Sequence, residues 1–165
     1  MKKLLILLFS IILATGLSAQ TKDQAIGFND KIVADQKKML ILEDHFITSI
    51  INDMGGDTIQ LEYEIYCDFM QYTLDKYSKM KKFDKKDTFR KALIELLTNF
   101  LQVAKTEYKE MLDIYAIPTD KLTDEHYNRW TELSNIIDKK ENTYNESFLD
   151  AQKAFASEYS FSLVD

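Results

Sequence analysis

The 165-residue chain contains only one cysteine, one proline and four glycines. A single cysteine excludes an intramolecular disulfide and any zinc or iron–sulfur site built from four cysteines. Because glycine and proline form turns, their scarcity leaves few sharp connections, which disfavours an all-β sandwich. Hydrophobic residues (45%) and charged residues (29%) occur in the proportions of a packed domain, so a disordered or collagen-like chain is excluded.

Arginine is scarce as well, and the charge balance is acidic. Arg90 and Arg129 are the only arginines, and the formal net charge is −6. Lysine offers a point charge in place of the guanidinium fork that grips phosphate through two hydrogen bonds. Acidity and lysine together predict that nucleic acid is not a partner.

Long apolar runs are confined to the first residues. Lys2 and Lys3 precede an apolar stretch at 4–13, and Ala19 offers a small residue at a cleavage point. This pattern predicts a signal peptide over residues 1–19. Ten apolar residues are about half of what a spanning helix needs, which disfavours the alternative of a permanent anchor.

Cleavage after residue 19 leaves residues 20–165 as a single predicted domain. No second long apolar segment follows, and Cys67 lies too far from the cleavage point to carry a lipid. We therefore predict an exported protein, in the periplasm, at the cell surface or secreted, with no stable membrane anchor after cleavage.

Two amphipathic segments flank the only glycine pair. Thr21 and Gln24 form a predicted capping box, and Gly55-Gly56 is expected to end the first helix. Helical spacing joins its apolar positions: Phe28, Ile32, Met39, Leu42, Phe46 and Ile50. The second segment alternates from Ile59 to Ile65 like a strand, but it also carries helical spacing: Ile59, Tyr63, Tyr66, Met70, Leu74 and Tyr77. We favour the helix, because that spacing continues without a turn signal.

The second half of the chain predicts two more helices. Asp84 is the expected N-cap of the third, and Pro118 ends it because the residue before a proline avoids the helical region. Thr123 caps the fourth, whose tail from 157 to 165 is expected to fray. Long helices joined by short connections lie antiparallel to their neighbours, so the predicted fold is an all-α, antiparallel, up-down-up-down four-helix bundle.

Residue patterns that carry chemistry are missing. The chain has no Glu-x-x-His pair for a di-iron centre and no Cys-x-x-Cys-His haem motif. His45 and His126 are interpreted as solvated surface residues, and Cys67 has an acidic neighbour that disfavours a reactive thiolate. We therefore predict no enzyme activity, no metal site and no cofactor.

Aromatic residues leave one alternative open. Seven of them either belong to a core with wet edges or line a groove that stacks on sugars or holds an apolar ligand: Tyr63, Tyr66, Tyr77, Tyr115, Tyr127, Trp130 and Tyr144. The core is the favoured interpretation. The groove would make the protein an envelope enzyme or a small-ligand carrier.

Basic residues are concentrated between positions 75 and 91. This range contains three acidic residues and eight basic ones: Lys76, Lys79, Lys81, Lys82, Lys85, Lys86, Arg90 and Lys91. Between 107 and 125 the balance inverts, with six acids against two lysines. The simpler explanation is that lysines favour helix ends and acids favour helix starts. The functional alternative is a patch that meets an anionic partner.

The two ends of the predicted domain carry a resemblance. An aromatic residue, Asn-Asp, Ile-Val and a glutamine follow one another within residues 28–36, and residues 151–163 carry the pattern Gln-x-x-Phe-Ala-x-x-Tyr-x-Phe-x-Leu. Both segments resemble an uncharacterised family of exported bacterial helical-bundle surface proteins. The resemblance implies an exported helical bundle of unknown activity. Some members are lipid-anchored, and this chain lacks the anchoring cysteine.

The same residues have a physical interpretation. Asn29, Asp30 and Gln36 are expected to hydrogen-bond to the closing segment if the first and last helices are neighbours, and Phe161 and Leu163 then cover that end. Taken together, the sequence predicts an exported non-enzymatic binding or interaction module of the cell envelope. Its partner is unknown, and an anionic envelope component or another envelope protein fits.

Overall fold

A computed structural model describes residues 21–163 of the chain and shows an all-α protein, as predicted. No strand occurs in this range. The helices are α1 (Lys22–Ile51), α2 (Gly56–Lys79), α3 (Thr88–Val103), α4 (Lys109–Tyr115) and α5 (Asp124–Glu158). The predicted signal peptide at 1–19 lies outside the described residues. None of the described helices is long and apolar enough to cross a bilayer.

Helix α1 begins as predicted and ends earlier than predicted. The backbone N–H of Gln24 donates to Thr21 Oγ1 (3.2 Å) and the N–H of Thr21 donates to Gln24 Oε1 (2.9 Å), so the capping box is confirmed. At the other end, Asp53 takes the left-handed conformation (φ 48°), and the N–H of Met54 reaches back to the carbonyl of Ser49. Asp53 therefore ends the helix before the glycines are reached. The predicted end at Gly55-Gly56 was wrong.

Helix α2 settles the choice between strand and helix. Ile59, Tyr66 and Met70 are buried, as the helical spacing requires. Leu61 and Ile65, which a strand would bury beside Ile59, are 55% and 40% exposed. Helical spacing extends over more residues than the alternation does, so burial follows the longer pattern.

Helix α3 starts later than its predicted cap. Asp84 lies in the connection, where its Oδ1 accepts the backbone N–H of Asp87 (2.6 Å). Asp87 takes the left-handed conformation (φ 57°) immediately before Thr88, the first helical residue. The expectation that Asp84 caps the helix was wrong, because Asp84 stabilises the turn that precedes the cap.

A π-helical turn (Ala104–Tyr108) joins α3 to α4 without a break, so the five α-helices form four rods. The hydroxyl of Tyr63 on α2 donates to the carbonyl of Ala104 (3.1 Å), which satisfies a carbonyl at the start of the wider turn. Such turns occur mostly as single bulges in α-helices, often at functional sites. No pattern in the sequence predicted this turn.

Hydrogen bonds between rods follow the order of antiparallel neighbours. From α1 to α2 they join Asp35 to Lys76 and Glu43 to Tyr66, so sequence numbers rise on one helix and fall on the other. Contacts also join α2 to α3, α3 to α5 and α1 to α5. The up-down-up-down order of the whole bundle stays a prediction.

The predicted contact between the first and last helices is present at two positions. Gln152 Nε2 donates to Asn29 Oδ1 (3.0 Å), and Gln36 Nε2 donates to Asn145 Oδ1 (3.5 Å). Asp30 differs from the prediction, because it accepts a hydrogen bond from its neighbour Asn29 (3.2 Å) and none from the closing segment.

Of the two residues predicted to cover this end of the bundle, Phe161 packs against helix α5. The ring of Phe161 lies 6.1 Å from that of Phe155, and the N–H of Phe161 donates to the carbonyl of Ala156 (3.0 Å). Helix α5 continues to Glu158, so the expected fraying does not begin at residue 157.

Asn29→Ala should lower the free energy of unfolding by about 1 kcal/mol, because the substitution leaves the amide of Gln152 without its partner at a mostly buried site. Urea unfolding measures the change. Asn142→Ala, at an exposed position of α5, is the matched control. Equal stability of Asn29→Ala and the unsubstituted protein would contradict a stabilising role for the contact.

Candidate functional site

An open cleft of about 460 Å³ lies where the end of α4 and the connection to α5 meet the α1–α2 turn. We name it the aromatic cleft after Tyr115, Tyr127 and Trp130, which line it together with Asp53 and His126. Apolar side chains and Thr119 complete the lining: Ile114, Ile117 and Leu122. Three of the seven aromatic residues considered for a groove therefore meet at one place.

Local geometry fixes the polar groups of the aromatic cleft. The hydroxyl of Tyr115 donates to the carboxylate of Asp53, which the left-handed turn after α1 holds in place. His126 Nδ1 accepts the backbone N–H of Thr123 (3.1 Å), which completes the cap of α5. This assigns the proton of a neutral imidazole to Nε2. His126 is therefore a capping residue and not simply a solvated one, whereas His45 is exposed as expected.

A second space, the inner cleft, adjoins the aromatic cleft at Trp130. Its volume is about 200 Å³, and Tyr108, Ser134 and Asp138 supply polar groups to a mainly apolar lining. The apolar members of that lining are Ile47, Ile50, Ile51, Met111 and Ile137. Ile51 is 75% exposed, so one wall of the inner cleft is open to solvent.

An arginine fork connects the two helices that form the cleft walls. Arg129 on α5 donates to both carboxylate oxygens of Glu110 on α4 (2.7 and 2.8 Å) and to Glu132 (2.6 Å). These side chains are partly exposed, so the pairs contribute little to stability. Their two-point geometry instead holds the register of α4 against α5 beside the cleft.

Beyond Tyr108 lies a buried acid pair, Glu43 and Glu141. Glu43 on α1 is 7% exposed and accepts hydrogen bonds from the hydroxyls of Tyr66 (3.0 Å) and Tyr108 (3.3 Å). Glu141 approaches from α5, and its buried Oε1 has no hydrogen-bond partner. Each of the four rods thus contributes one group to the cluster.

Both acids of the pair retain their protons more strongly than an ordinary glutamate. Burial raises the pKa of Glu43. Burial, followed by the charge of Glu43, raises the pKa of Glu141 to about 10. At neutral pH Glu141 therefore keeps its proton, because two adjacent carboxylates in a poorly solvated site cannot both ionise without a large cost.

The sequence carries a signal for this pair, although it matches no motif. Glu43 falls inside the apolar stripe of α1, four residues after Met39 and three before Phe46. Glu141 lies four residues after Ile137 in the stripe of α5. An acid inside an apolar stripe indicates burial, but no spacing in the sequence shows that two such acids on separate helices meet.

The structure divides the eight basic residues predicted as an anionic-partner patch. Arg90 is 8% exposed and donates to the carboxylate of Asp87 and to the carbonyl of Tyr77, so it serves the fold. Lys76 pairs with Asp35 (2.6 Å). Lys86 pairs with Glu158 (2.8 Å). The remaining five are exposed and make no ion pair with any residue of 21–163: Lys79, Lys81, Lys82, Lys85 and Lys91.

Other residues considered for chemistry have structural places. Tyr66 and Tyr77 are fully buried, which is the favoured core interpretation for these two. Cys67 is half-buried, and burial raises the pKa of its thiol, which disfavours a reactive thiolate. Within residues 21–163, no group of three or more histidine, cysteine or acidic side chains is arranged to hold a metal ion.

Ionisation of the acid pair should destabilise the protein as pH rises. Unfolded glutamates titrate near 4.5, whereas the folded state holds the pKa of Glu141 at about 10. Above pH 4.5 the unfolded chain releases protons that the fold retains, so the free energy of unfolding falls until the folded pKa is passed. We expect a fall on the order of several kcal/mol between about pH 5 and pH 9, measured by urea unfolding.

Glu141→Gln should be more stable than the unsubstituted protein at pH 8 and should flatten this dependence, because the amide has no charge to bury. Glu146→Gln, exposed on the same helix, is the control and should keep the slope. The pKa values of Asp87 and Glu107 are lowered, so these two residues change the free energy of unfolding only below this pH range, and equally in both variants. Parallel curves for Glu141→Gln and Glu146→Gln would rule out a role of the pair.

Comparisons with known proteins found no relative of this chain. No protein-family model matches the chain, and neither the curated proteins nor the solved structures include a match. The resemblance of residues 28–36 and 151–163 to a family of exported surface proteins stays a prediction.

Proposed function

We propose that the protein is an exported, non-enzymatic binding protein of the cell envelope, and that the aromatic and inner clefts hold its ligand. The observation that carries this proposal is the arrangement of two adjoining clefts around Trp130. The larger one, of about 460 Å³, is within the size range of small-molecule sites.

The lining of the two clefts favours an amphiphilic ligand. The inner cleft is mainly apolar, whereas the aromatic cleft carries phenol, indole and carboxylate groups beside flat rings. Rings of this kind stack on the apolar face of a sugar while their polar atoms bond its hydroxyls. An apolar chain in the inner cleft and an uncharged, hydroxyl-bearing head in the aromatic cleft match both linings.

Charge around the aromatic cleft further limits the head group. Asp53 lines it, and Asp124 and Glu125 lie in the adjoining first turn of α5. These acids disfavour an anionic head. Binding is also favoured over catalysis, because the carboxylate and the imidazole that line the aromatic cleft already have hydrogen-bond partners. Asp53 accepts a hydrogen bond from Tyr115, and His126 caps α5.

The only tryptophan of the chain lies between the clefts, so its fluorescence tests the proposal. Octyl glucoside below its micelle concentration should give a saturable change in Trp130 emission, whereas octyl sulfate, with the same chain and an anionic head, should bind more weakly. Tyr127→Ala should weaken binding of octyl glucoside about tenfold, because the ring that covers the head is lost.

Tyr72→Ala is the matched control, since Tyr72 is 69% exposed on α2 and lines neither cleft. It should leave the affinity unchanged. A response that does not saturate, or an equal loss in both variants, would contradict the assignment of the clefts. Native mass spectrometry of protein purified from its own envelope would then identify whatever molecule the protein does carry.

A further inference from the structure

One end of the bundle carries exposed lysines that form no ion pair within the part of the chain that the structure describes. We call the basic end the five exposed lysines without an ion pair: Lys79, Lys81, Lys82, Lys85 and Lys91. They lie at the last residue of α2, in the connection to α3 and in the first turn of α3. The chain as a whole has a net charge of −6, so this concentration is opposite to its average.

Nearby acids are occupied by other partners. Asp84 accepts hydrogen bonds from the hydroxyl of Tyr159 (3.0 Å) and from the N–H of Asp87. Asp87 binds Arg90, and Glu158 binds Lys86 (2.8 Å). These contacts stabilise the connection between α2 and α3, whereas the five lysines of the basic end stay exposed to solvent.

Among the described residues, no exposed large apolar side chain lies between these lysines, and none of the lysines lines a described cleft. Neither the aromatic cleft nor the inner cleft is lined by a lysine. None of the large apolar side chains that are exposed in the described residues lies between positions 79 and 91. Phe83, in the middle of this segment, instead stacks on Phe28 with ring centroids 4.7 Å apart.

We propose that the basic end docks the protein onto an anionic lipid bilayer by charge alone. Exposed lysines at the end of α2, in the connection and at the start of α3 can meet a flat surface together, whereas a single polymer chain would be held in a groove. Lysine also suits a fluid layer of phosphates, because its attraction does not depend on the paired geometry of arginine. This inference is independent of the ligand proposed for the clefts.

Docking through this end sets the orientation of the molecule. An anionic surface repels the acidic remainder of the chain, so the rods stand away from the bilayer. Helix α2 has 24 residues and spans about 36 Å, and the aromatic cleft lies toward its opposite end, by the α1–α2 turn. The cleft therefore faces away from the lipid.

Flotation with vesicles tests the docking. Vesicles of phosphatidylglycerol and phosphatidylcholine should carry the protein, vesicles of phosphatidylcholine alone should not, and binding should weaken steadily as salt rises. Each Lys→Gln substitution at the basic end should lower the partition coefficient about fivefold, since a lysine near an anionic surface contributes about 1 kcal/mol.

The matched control carries the same charge change elsewhere: Lys37→Gln, Lys38→Gln, Lys105→Gln, Lys121→Gln and Lys139→Gln. All five positions are exposed, and they lie along the rods or at the cleft end. This control should keep most of the binding that the five substitutions at the basic end remove. Equal loss in both variants, or binding to soluble polyphosphate in preference to vesicles, would overturn the proposal. Octyl glucoside binding should be the same in both variants, so failure of either proposal is seen separately.

Discussion

Burial of four apolar helix faces against one another is the interaction on which the rest of this structure depends. Because that core excludes water, a polar group inside it is costly unless it finds a partner or keeps its proton. The amide of Gln152 donates a hydrogen bond to Asn29, and the hydroxyl of Tyr63 donates one to a carbonyl of the π-helical turn. The pair Glu43 and Glu141 follows the second course. Its positions, its partners and its retained protons are all consequences of the same burial.

The two ends of the bundle differ in chemistry because different connections meet there. At one end the α1–α2 turn and the approach to α5 leave space between rods, which apolar and aromatic side chains line. At the other end a ring cluster built around Phe28, Phe83 and Phe155 fills the space, so charged side chains other than the buried pair of Asp87 and Arg90 remain on the outside. A binding site and a docking surface are thus separated by the length of the rods.

The sequence predicted what depends on local periodicity and missed what depends on contacts between helices. Thr21 and Gln24 were correct because a capping box needs only three residues of separation. Asp53 was missed because a non-glycine residue in the left-handed conformation has no periodic signal. The acid pair was missed because Glu43 and Glu141 lie on different rods. The cleft was only partly predicted: its aromatic residues were named, but spacing alone did not separate Tyr115 and Tyr127 from the core residues Tyr66 and Tyr77.

The wider turn at Ala104–Tyr108 has a consequence for the register of its rod. A turn that accommodates one additional residue rotates everything after it by about 100° relative to an uninterrupted α-helix. The faces of α3 and α4 therefore follow two separate phases, and Met111 and Arg129's partner Glu110 occupy their places only because of that shift. Loss of a single amino acid within the turn would therefore give a continuous α-helix whose final segment keeps its present faces, whereas a regular α-helix through all the residues present would turn the wrong side of that segment to its neighbours.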